Sequence, residues 1–478
     1  MQEGNNIMAA FMESLEAALY PVVCDINTYL SSYILVFLLI AVGVWYSVKT
    51  GFVQVRCFGE GMRKVFGNLS LRGGKQERGM SSFQALATAV AAQVGTGNIV
   101  GASGAILTGG PGAIFWMWVI AFLGMATNYA EAILAQETRQ VDEDGTVHGG
   151  PVYYIKTAFK GKFGTFLAGF FAVAIILALG FMGCMVQSNS IASTMNSAFM
   201  IPTWAIGLAV VVVAGFIFIG GVQRIASVTE KLVPVMAVLY IIGGLFVICV
   251  NAANLPEAFS LIFSCAFNPS AEVGGVTFGI FAAMTQGAKR GLFSNEAGMG
   301  STPHAHAMAQ VKDPHEQGVV ASLAVFIDTF VVVTITAMVV MVTMYTGNGA
   351  LAMGAWEGID KTNLAQIAFG SLFGNGVGSA FVAICLLFFA FSTIVSWNLF
   401  ARLNVEYLFG KKALPVFAVI ALIFIFMGSL LSNDLVWELA DMFNQLMVLP
   451  NAIALFALSG IVAKHANKPH PKPFAEEE

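Results

Sequence analysis

The residues Val-Gly-Thr-Gly-Asn interrupt an apolar stretch, residues 82–124, that is long enough to cross a bilayer. Gly95 and Gly97 weaken helical pairing and expose backbone N–H groups, while Thr96 and Asn98 add a hydroxyl and an amide. Backbone freed from a helix at membrane depth persists only where protein or a water-filled cavity satisfies it. The pattern therefore predicts a small-ligand or ion site near the membrane centre. The alternative is that these glycines only allow close helix packing.

A second apolar segment, residues 276–300, carries a similar polar and glycine-containing interruption. The expected break is at Thr285, Gln286 and Gly287, where the Gln286 amide offers a hydrogen-bond acceptor. Interrupted helices in matching positions of two halves are typical of secondary transporters, which bind their ligand between such helices. We therefore assign these three residues to the same candidate site.

Asp328 lies in the middle of an apolar run, where a carboxylate costs at least a few kcal/mol, which makes it a functional candidate. The structural alternative is an ion pair with Lys289 or Arg290, which also lie within a predicted span, with Glu296 as a second candidate for that charge network. Glu131 and Asp441 lie nearer span ends, and a structural role is expected for both.

Composition decides the class of protein. Of 478 residues, 57% are hydrophobic and 10% charged, and the mean hydropathy is +0.78. Soluble domains carry roughly 25% charged residues, so this chain is predicted to be a polytopic membrane protein. Six scattered cysteines without a CxxC pair indicate neither a disulfide framework nor a metal site. The sequence contains no nucleotide-binding loop, which argues against a primary pump.

The apolar segments predict an all-α fold of eleven transmembrane helices, counted at about 20 residues per crossing. The expected spans are residues 33–49, 82–108, 112–137, 164–198, 203–222, 231–251, 276–300, 318–346, 376–400, 413–432 and 435–462. Two further segments are predicted not to cross: residues 149–156 as a cytoplasmic interfacial helix, and residues 254–271 on the outer surface.

The basic residues orient the chain, because positive charge collects on the cytoplasmic side of a membrane. The loop at residues 49–80 is rich in Lys and Arg, and only Lys361 falls outside in this arrangement. The N-terminus is therefore predicted outside, as an uncleaved tail with at most a short interfacial helix, and the C-terminus inside. The tail at residues 464–478 is predicted to be disordered.

Apart from the first span, the ten remaining spans form two groups of five, and each group opens with an interrupted segment. Five is odd, so the second group is inverted relative to the first, which is the repeat pattern of secondary transporters. Four regions are predicted. Residues 1–80 hold the tail, the first span and the basic loop, and residues 81–253 hold the first repeat. Residues 254–463 hold the outer segment and the second repeat, and residues 464–478 are the cytoplasmic tail.

The runs AAQVGTGNIVG, GGPGAIFWMWVIAFLG and TQGAKRGLFSNEAGMGSTPHAHA resemble the alanine/glycine:cation symporter family, also called sodium:alanine symporters. That family is similar to the leucine-transporter group within the amino acid–polyamine–organocation superfamily, with five plus five inverted spans and here one extra N-terminal span. The resemblance covers essentially the whole chain. It implies a sodium-driven importer of small neutral amino acids, chiefly alanine and glycine.

A zwitterionic amino acid fits the chemistry of the first break. Freed N–H groups at a half-helix start bind a carboxylate. Carbonyls and the amides of Asn98 and Gln286 can accept from an ammonium group. Phe181, midway along the fourth span, could cover the pocket, although an aromatic at that depth also fits the core or the lipid face.

The resemblance also implies a sodium site made of oxygen ligands. The matching residues are Ala91, Val94, Phe389, Ser392 and Thr393. Gln93 and Asn98 match the position of another cation site in the wider fold. The alternative for the two hydroxyls is that each bonds its own helix backbone one turn back.

The leading interpretation is sodium-coupled amino-acid symport in the cell membrane, with no organic cofactor and no nucleic acid. Proton coupling and glutamine or another neutral substrate remain open, as do protein partners. A passive channel also uses broken helices but seldom an inverted five-plus-five layout. An intramembrane enzyme would need a nucleophile and base or a metal triad inside the spans, and no His lies at a span centre.

Overall fold

The computed structural model describes residues 2–67, 80–143, 146–268 and 271–468, and this part of the chain is largely helical. Helices satisfy their own backbone hydrogen bonds, which an apolar environment requires. The described residues contain two short antiparallel strand pairs, β1 (Gln140–Val141) with β2 (Val147–His148) and β3 (Ala271–Val273) with β4 (Val276–Phe278). Residues 68–79 of the predicted basic loop and residues 469–478 of the predicted disordered tail lie outside the described residues.

The N-terminal region is more helical than predicted. Its helices are α1 (Gln2–Tyr29), α2 (Val36–Lys49), α3 (Val53–Arg56) and α4 (Phe58–Met62). A π-helical turn, Leu30–Leu35, joins α1 to α2, so the first apolar span begins at Ala17 and the tail is not a separate segment with a short helix. Near its C-terminal end α1 contacts the helix Asn433–Ala457, where Asn27 Nδ2 donates to the Glu438 carbonyl oxygen at 2.8 Å.

The first interrupted segment breaks where the sequence predicts. It consists of α5 (Ser82–Gln93), the π-helical turn Gly97–Gly101 and α6 (Ala102–Gly109), and its two halves are bent by 44°. Ser81 caps α5 in a reciprocal pair of hydrogen bonds with Gln84. Gly110 then turns the chain with φ +75°, where an added Cβ would lie 2.5 Å from Phe278 Cγ. Only glycine fits both constraints.

The helices that follow agree closely with the predicted spans. They are α7 (Gly112–Thr138), α8 (Pro151–Ala158), α9 (Gly161–Ile175), α10 (Cys184–Phe199), α11 (Thr203–Ile219), α12 (Gly221–Val250) and α13 (Leu255–Phe267). A π-helical turn, Ile176–Gly183, joins α9 and α10 into one span. The two segments predicted not to cross are the short helices α8 and α13. Half of the α8 side chains, including Tyr154, are buried in the protein.

The second half contains α14 (Ile280–Asn295), α15 (Pro303–Met308), α16 (Pro314–Val325), α17 (Thr334–Val340), α18 (Leu364–Phe373), α19 (Asn375–Phe409), α20 (Leu414–Gly428), α21 (Asn433–Ala457) and α22 (Ser459–Ala466). Two π-helical turns, Phe326–Val333 and Met341–Tyr345, extend α16 and α17 into a single span, Pro314–Tyr345. The short apolar helix α18 was not predicted.

The break predicted at residues 285–287 is wrong in position, because α14 continues through it and ends at Asn295. A Cβ at Gly287 would lie 2.5 Å from Trp116 Cβ and 2.6 Å from the Ala113 carbonyl oxygen. This glycine therefore allows α14 to pack closely on α7. The helix ends where Glu296 adopts a left-handed conformation with φ +58°.

Eight helices in the described chain are long and apolar enough to cross a membrane, and the bent pair α5–α6 makes a ninth. Two of the predicted crossings, α11 with 17 residues and α14 with 16, are shorter than the roughly 20 residues of an ordinary transmembrane helix. The count of eleven and the inverted repeat stay predictions. Within this helical body α5 is central, and its residues from Ala85 to Gln93 are all buried.

Candidate functional site

The first break releases backbone N–H groups as predicted, and nearby side chains bind them. Val94 ends α5 with ψ +88°, outside the helical region. The Gly95 N–H donates to Asn98 Oδ1 at 2.8 Å, and the Thr96 N–H donates to Gln187 Oε1 at 3.0 Å. The four residues from Gly95 to Asn98 are buried. The freed N–H groups of the break are therefore hydrogen-bonded to the side-chain amides of Asn98 and Gln187.

Gln187, on α10, is a part of this site that the sequence analysis missed. Its Oε1 accepts from the Thr96 hydroxyl at 2.7 Å as well as from the Thr96 N–H. The available signal was the polar run Gln187-Ser188-Asn189-Ser190 inside a long apolar span, because polar side chains within a membrane are often functional.

A cluster of four oxygen atoms joins the end of α5 to the middle of α19. Thr393 Oγ1 lies 2.9 Å from the Ala91 carbonyl oxygen and 3.1 Å from that of Phe389. Ser392 Oγ lies 2.8 Å from the Phe389 oxygen and 3.4 Å from the Ala91 oxygen. Carbonyl and hydroxyl oxygens are the ligands that hard cations prefer. The donor set therefore fits a cation such as sodium.

The alternative explanation, that each hydroxyl bonds only the backbone of its own helix, accounts for only some of the observed contacts. Both bond the Phe389 carbonyl of their own helix, as Ser and Thr commonly do, but both also reach Ala91 on α5. Val94, the fifth predicted ligand, ends α5 just before Gly95, and an added Cβ at Gly95 would lie 2.4 Å from Thr393 Oγ1. The chain after Val94 thus also faces α19.

Asp328 contacts the first break directly. Asn98 Nδ2 donates to Asp328 Oδ1 at 2.6 Å, and Ser294 Oγ lies 2.9 Å from Oδ2. Thr329 Oγ1 is a third donor to the carboxylate, at 2.8 Å from Oδ2. The buried carboxylate is satisfied by neutral donors from three segments: the break, the end of α14 and its own helix.

Lys289 and Arg290 do not pair with Asp328, so the ion pair considered above is wrong. Arg290 makes two hydrogen bonds to Asp441, at 2.8 and 3.2 Å, and Lys289 Nζ lies 2.8 Å from Asp441 Oδ2. Lys289 also lies 3.3 Å from Glu438, and the Arg290 guanidinium stacks over Trp437 at 4.6 Å. These residues form a separate charge network between α14 and α21.

The true second break, residues 296–302, is fixed by carboxylates. Glu131 accepts from the Gly298 N–H at 3.1 Å, from the Gly300 N–H at 2.9 Å and from Asn451 Nδ2 at 2.6 Å. Glu296 accepts from the Ser301 hydroxyl and the Trp397 indole N–H. Both carboxylates are thus hydrogen-bonded around the break. Within the described part of the chain, Glu296 makes no ion pair with Lys289 or Arg290, which pair with Asp441.

The two breaks lie against each other. Gln93 Nε2 donates to the Asn295 carbonyl oxygen at 2.7 Å, which joins the end of α5 to the end of α14. A Cβ added at Gly97 would lie 3.0 Å from Ser294 Cα. The Gln93 Oε1 atom is buried without a hydrogen-bond partner among the described residues. A buried acceptor of this kind is available to a bound donor.

Four predicted site residues lie elsewhere. Gln286 packs beside Gly109, at the end of α6 remote from the break. A Cβ added at Gly109 would lie 2.9 Å from Gln286 Cβ. Thr285 and Gly287 lie next to Gln286 on α14. Phe181 stacks on Phe424 at 4.7 Å in a peripheral aromatic cluster. The structure brings none of the four to the first break.

Comparison with known proteins agrees with the resemblance. The profile of the sodium:alanine symporter family matches residues 16–473. The sodium/alanine symporter AgcS of Methanococcus maripaludis is 37% identical over 438 residues, which cover 91% of this chain and 94% of that protein. GlnT of Bacillus subtilis, described as a probable sodium/glutamine symporter, is 38% identical over 439 residues, covering 91% and 87%.

Solved structures show the same fold at low identity. MhsT in complex with L-phenylalanine has a TM-score of 0.56 at 16% identity, covering 82% of this chain and all of that one. The Eremococcus coleocola manganese transporter has a TM-score of 0.53 at 13% identity, covering 80% and 78%. Both are leucine-transporter-fold proteins, which confirms the fold assignment. The chain belongs to the sodium:alanine symporter family, a family of amino-acid transporters in membranes.

Proposed function

We propose that this protein couples the import of a small neutral amino acid, alanine or glycine, to the entry of sodium by alternating access. The observation that carries the proposal is the continuity of residues 91–98. Ala91 supplies an oxygen to the cluster on α19, and the same short segment supplies the freed N–H groups of Gly95 and Thr96. A cation and a ligand bound there would both fix one flexible segment, which couples their binding.

The substrate carboxylate would bind the N–H groups at the first break, where it displaces the side-chain amides of Asn98 and Gln187. The unpartnered Gln93 Oε1 is an acceptor for the substrate ammonium group. Space is limited because Gly97 packs directly on Ser294 and on the Phe293 ring. These features favour a small side chain.

The charges near the break favour a neutral side chain. The sequence places no charged residue beside the break, but the fold brings Asp328 into contact with Asn98. This carboxylate would repel acidic substrates. The limited space beside Gly97, which packs on Ser294 and Phe293, disfavours the long side chains of Lys and Arg. Lys289 and Arg290 are occupied by Asp441 and so cannot attract an acidic side chain.

The coupling ion proposed is sodium, held by the Ala91 and Phe389 carbonyls and the Ser392 and Thr393 hydroxyls, with Val94 as a fifth ligand. Sodium supplies only charge and coordination, so no organic cofactor is needed. Proton coupling is the alternative, for which Asp328 is the candidate carrier because it contacts the break.

We also propose eleven crossings in a five-plus-five inverted repeat, with the N-terminus outside and the C-terminus in the cytoplasm. The close agreement between apolar segments and helices supports this arrangement, as does the inward bias of basic residues. Lys361, the exception, is paired with Asp434 at 2.8 Å. The proposed location is the cell (plasma) membrane.

Counterflow uptake in proteoliposomes tests this function. Vesicles loaded with alanine should accumulate labelled alanine when sodium is present on both sides, and not when choline replaces it. Glycine should compete, whereas Asp, Glu, Lys and Arg should not. Strong competition by any of these four would refute the neutral-substrate site. Uptake that follows a pH gradient without sodium would favour proton coupling.

Glutamine is the second candidate substrate, because the relative GlnT bears that description at 38% identity. The same experiment separates the two. Glutamine that outcompetes alanine at equal concentration would assign the protein to glutamine transport, and the tight contact of Gly97 with Ser294 predicts the opposite order.

A further inference from the structure

A cluster of mixed ligand-type side chains lies outside the transport site, where α3 and α4 meet the start of α16. The Cys57 Sγ, a Glu60 carboxylate oxygen and a His315 ring nitrogen all lie within 4.8 Å of one another. Among the described residues, no other group of three His, Cys, Asp or Glu side chains is this compact. The sequence does not reveal the cluster, since His315 is more than 250 positions from Glu60.

The orientation of His315 is that of a metal ligand. Its Nδ1 lies 2.6 Å from the Tyr129 hydroxyl, and its Nε2 lies 3.3 Å from Glu60 Oε2. Metal-bound histidines usually have one ring nitrogen on the metal and the other fixed by a hydrogen bond that sets the tautomer. Tyr129 supplies that bond from α7. The Asp313 side chain accepts from the His315 backbone N–H at 3.0 Å and so fixes the helix start.

A small cavity of about 10 Å³ touches the cluster at Cys57 only. Tyr129 and Ser322 also line it, and its other lining residues are apolar. A cavity of this size is at the lower limit of what can hold one water molecule. Ser322 is 6% exposed, and its hydroxyl has no hydrogen-bond partner among the described residues. A water bound to a metal ion at the cluster would give this hydroxyl a partner.

A simple ion pair between His315 and Glu60 would explain those two residues only. Glu60 already has a second charged neighbour, since Lys64 Nζ lies 4.0 Å from its Oε1. The pair leaves unexplained the thiol turned toward both groups and the unpartnered hydroxyl of Ser322 in the adjoining cavity.

We propose that Cys57, Glu60 and His315 bind a zinc ion, with a water molecule as the fourth ligand. Thiolate, imidazole and carboxylate are the three protein ligands of zinc, and three of them with a water form a common tetrahedral site. Zinc bonds of about 2.0–2.3 Å require the ligand atoms to draw closer than 4.8 Å, which side-chain rotation of the half-exposed Glu60 and Cys57 permits. The bound ion would join α4 to α16, whose continuous span carries Asp328.

The test uses the full chain purified in detergent, stripped of metal with a chelator and then dialysed against zinc or cobalt. Zinc content is measured by mass spectrometry, affinity by competition with a chelating dye, and thiolate ligation by the sulfur-to-cobalt charge-transfer band. We expect one zinc per chain and a clear band. Cys57→Ser should abolish the band and His315→Gln should weaken zinc binding by at least about 100-fold, whereas Tyr129→Phe should weaken it by about 10–100-fold.

Two matched variants control for other cysteines and histidines. Cys249 is an exposed cysteine, and His148 forms an exposed pair with Asp142 at 2.9 Å, so Cys249→Ser and His148→Gln should keep full binding. Zinc should raise the unfolding temperature of the unsubstituted chain but not of Cys57→Ser. Absence of zinc binding by the unsubstituted chain, or a cobalt band that survives in Cys57→Ser, would overturn the proposal. No measurement involves transport, so the result is independent of the proposed symport.

Discussion

Asn98 Nδ2 lies 2.6 Å from Asp328 Oδ1, and this hydrogen bond joins the broken segment to a span that begins more than 200 residues later. The same Asn98 side chain accepts from the Gly95 N–H through its Oδ1. The Asn98 amide therefore contacts both the backbone of the break and the span that carries Asp328. Ser294 bonds the same carboxylate, so the first break and the end of α14 are held to one group.

Asp328→Asn should weaken substrate binding by about 10–100-fold without unfolding the protein. The new amide N–H₂ would face the Asn98 and Ser294 donors, so the break would move away from the geometry that binds substrate. Restoring that geometry would leave a buried unpaired donor, which costs about 1–3 kcal/mol. Equilibrium binding of labelled alanine to purified protein measures the effect. Asp360→Asn is the control, since Asp360 bonds an exposed turn at Thr362 and Asn363, and it should bind normally. Equal affinity in the two variants would contradict a role for Asp328 at the break.

Changing Ser392 and Thr393 together to Ala should raise the sodium concentration needed for half-maximal uptake by about 100-fold or more, because two hydroxyl ligands are lost and each contact with a charged group contributes about 1.5–3 kcal/mol. Linkage then requires weaker substrate binding at low sodium and recovery at saturating sodium. Thr343→Ala is the control, since the Thr343 hydroxyl bonds the Val339 carbonyl within its own helix at 2.7 Å. An unchanged sodium dependence in the double variant would place the ion elsewhere.

Gly97→Val should give folded, membrane-inserted protein that does not bind substrate. Gly97 has no positive φ, so the restriction comes from packing: an added Cβ would lie 3.0 Å from Ser294 Cα and 3.2 Å from Phe293 Cδ1. The branched side chain would separate the two breaks. Gly169→Val, where no atom lies within 4 Å of the added Cβ, is the matched control for a helical glycine. Normal uptake by Gly97→Val would show that the ligand binds elsewhere.

Asp441→Asn should lower stability by about 3–5 kcal/mol, because it removes the carboxylate that pairs with both buried cations, Lys289 and Arg290, and Glu438 then remains as a partner of Lys289. Thermal unfolding in detergent measures the loss. The pair of Asp434 with Lys361 is more exposed, so Asp434→Asn should cost no more than about 1 kcal/mol. A similar unfolding temperature for both variants would mean that the charge network contributes little.

The sequence alone was sufficient for most of the transmembrane helices and for the first break, but not for α1 or α18. The spans predicted at residues 112–137 and 164–198 correspond to α7 at Gly112–Thr138 and to the joined α9–α10 segment at Gly161–Phe199. A bilayer imposes length and apolarity on each span independently, so these properties are local and can be read without knowing the partners. The break at Val94–Asn98 was also predicted from local sequence, because glycine weakens a helix, although the similar residues at 285–287 do not interrupt α14.

Only the tertiary structure decided which groups meet. Gln187 binds Thr96, Asp441 rather than Asp328 takes Arg290, and the second break follows Asn295 instead of lying at Gln286. In each case a neighbouring helix settles the outcome, as when the close approach of α7 keeps Gly287 helical. Hydropathy and spacing describe one helix at a time, whereas a buried polar group is satisfied by whichever donor or acceptor packing brings within about 3 Å.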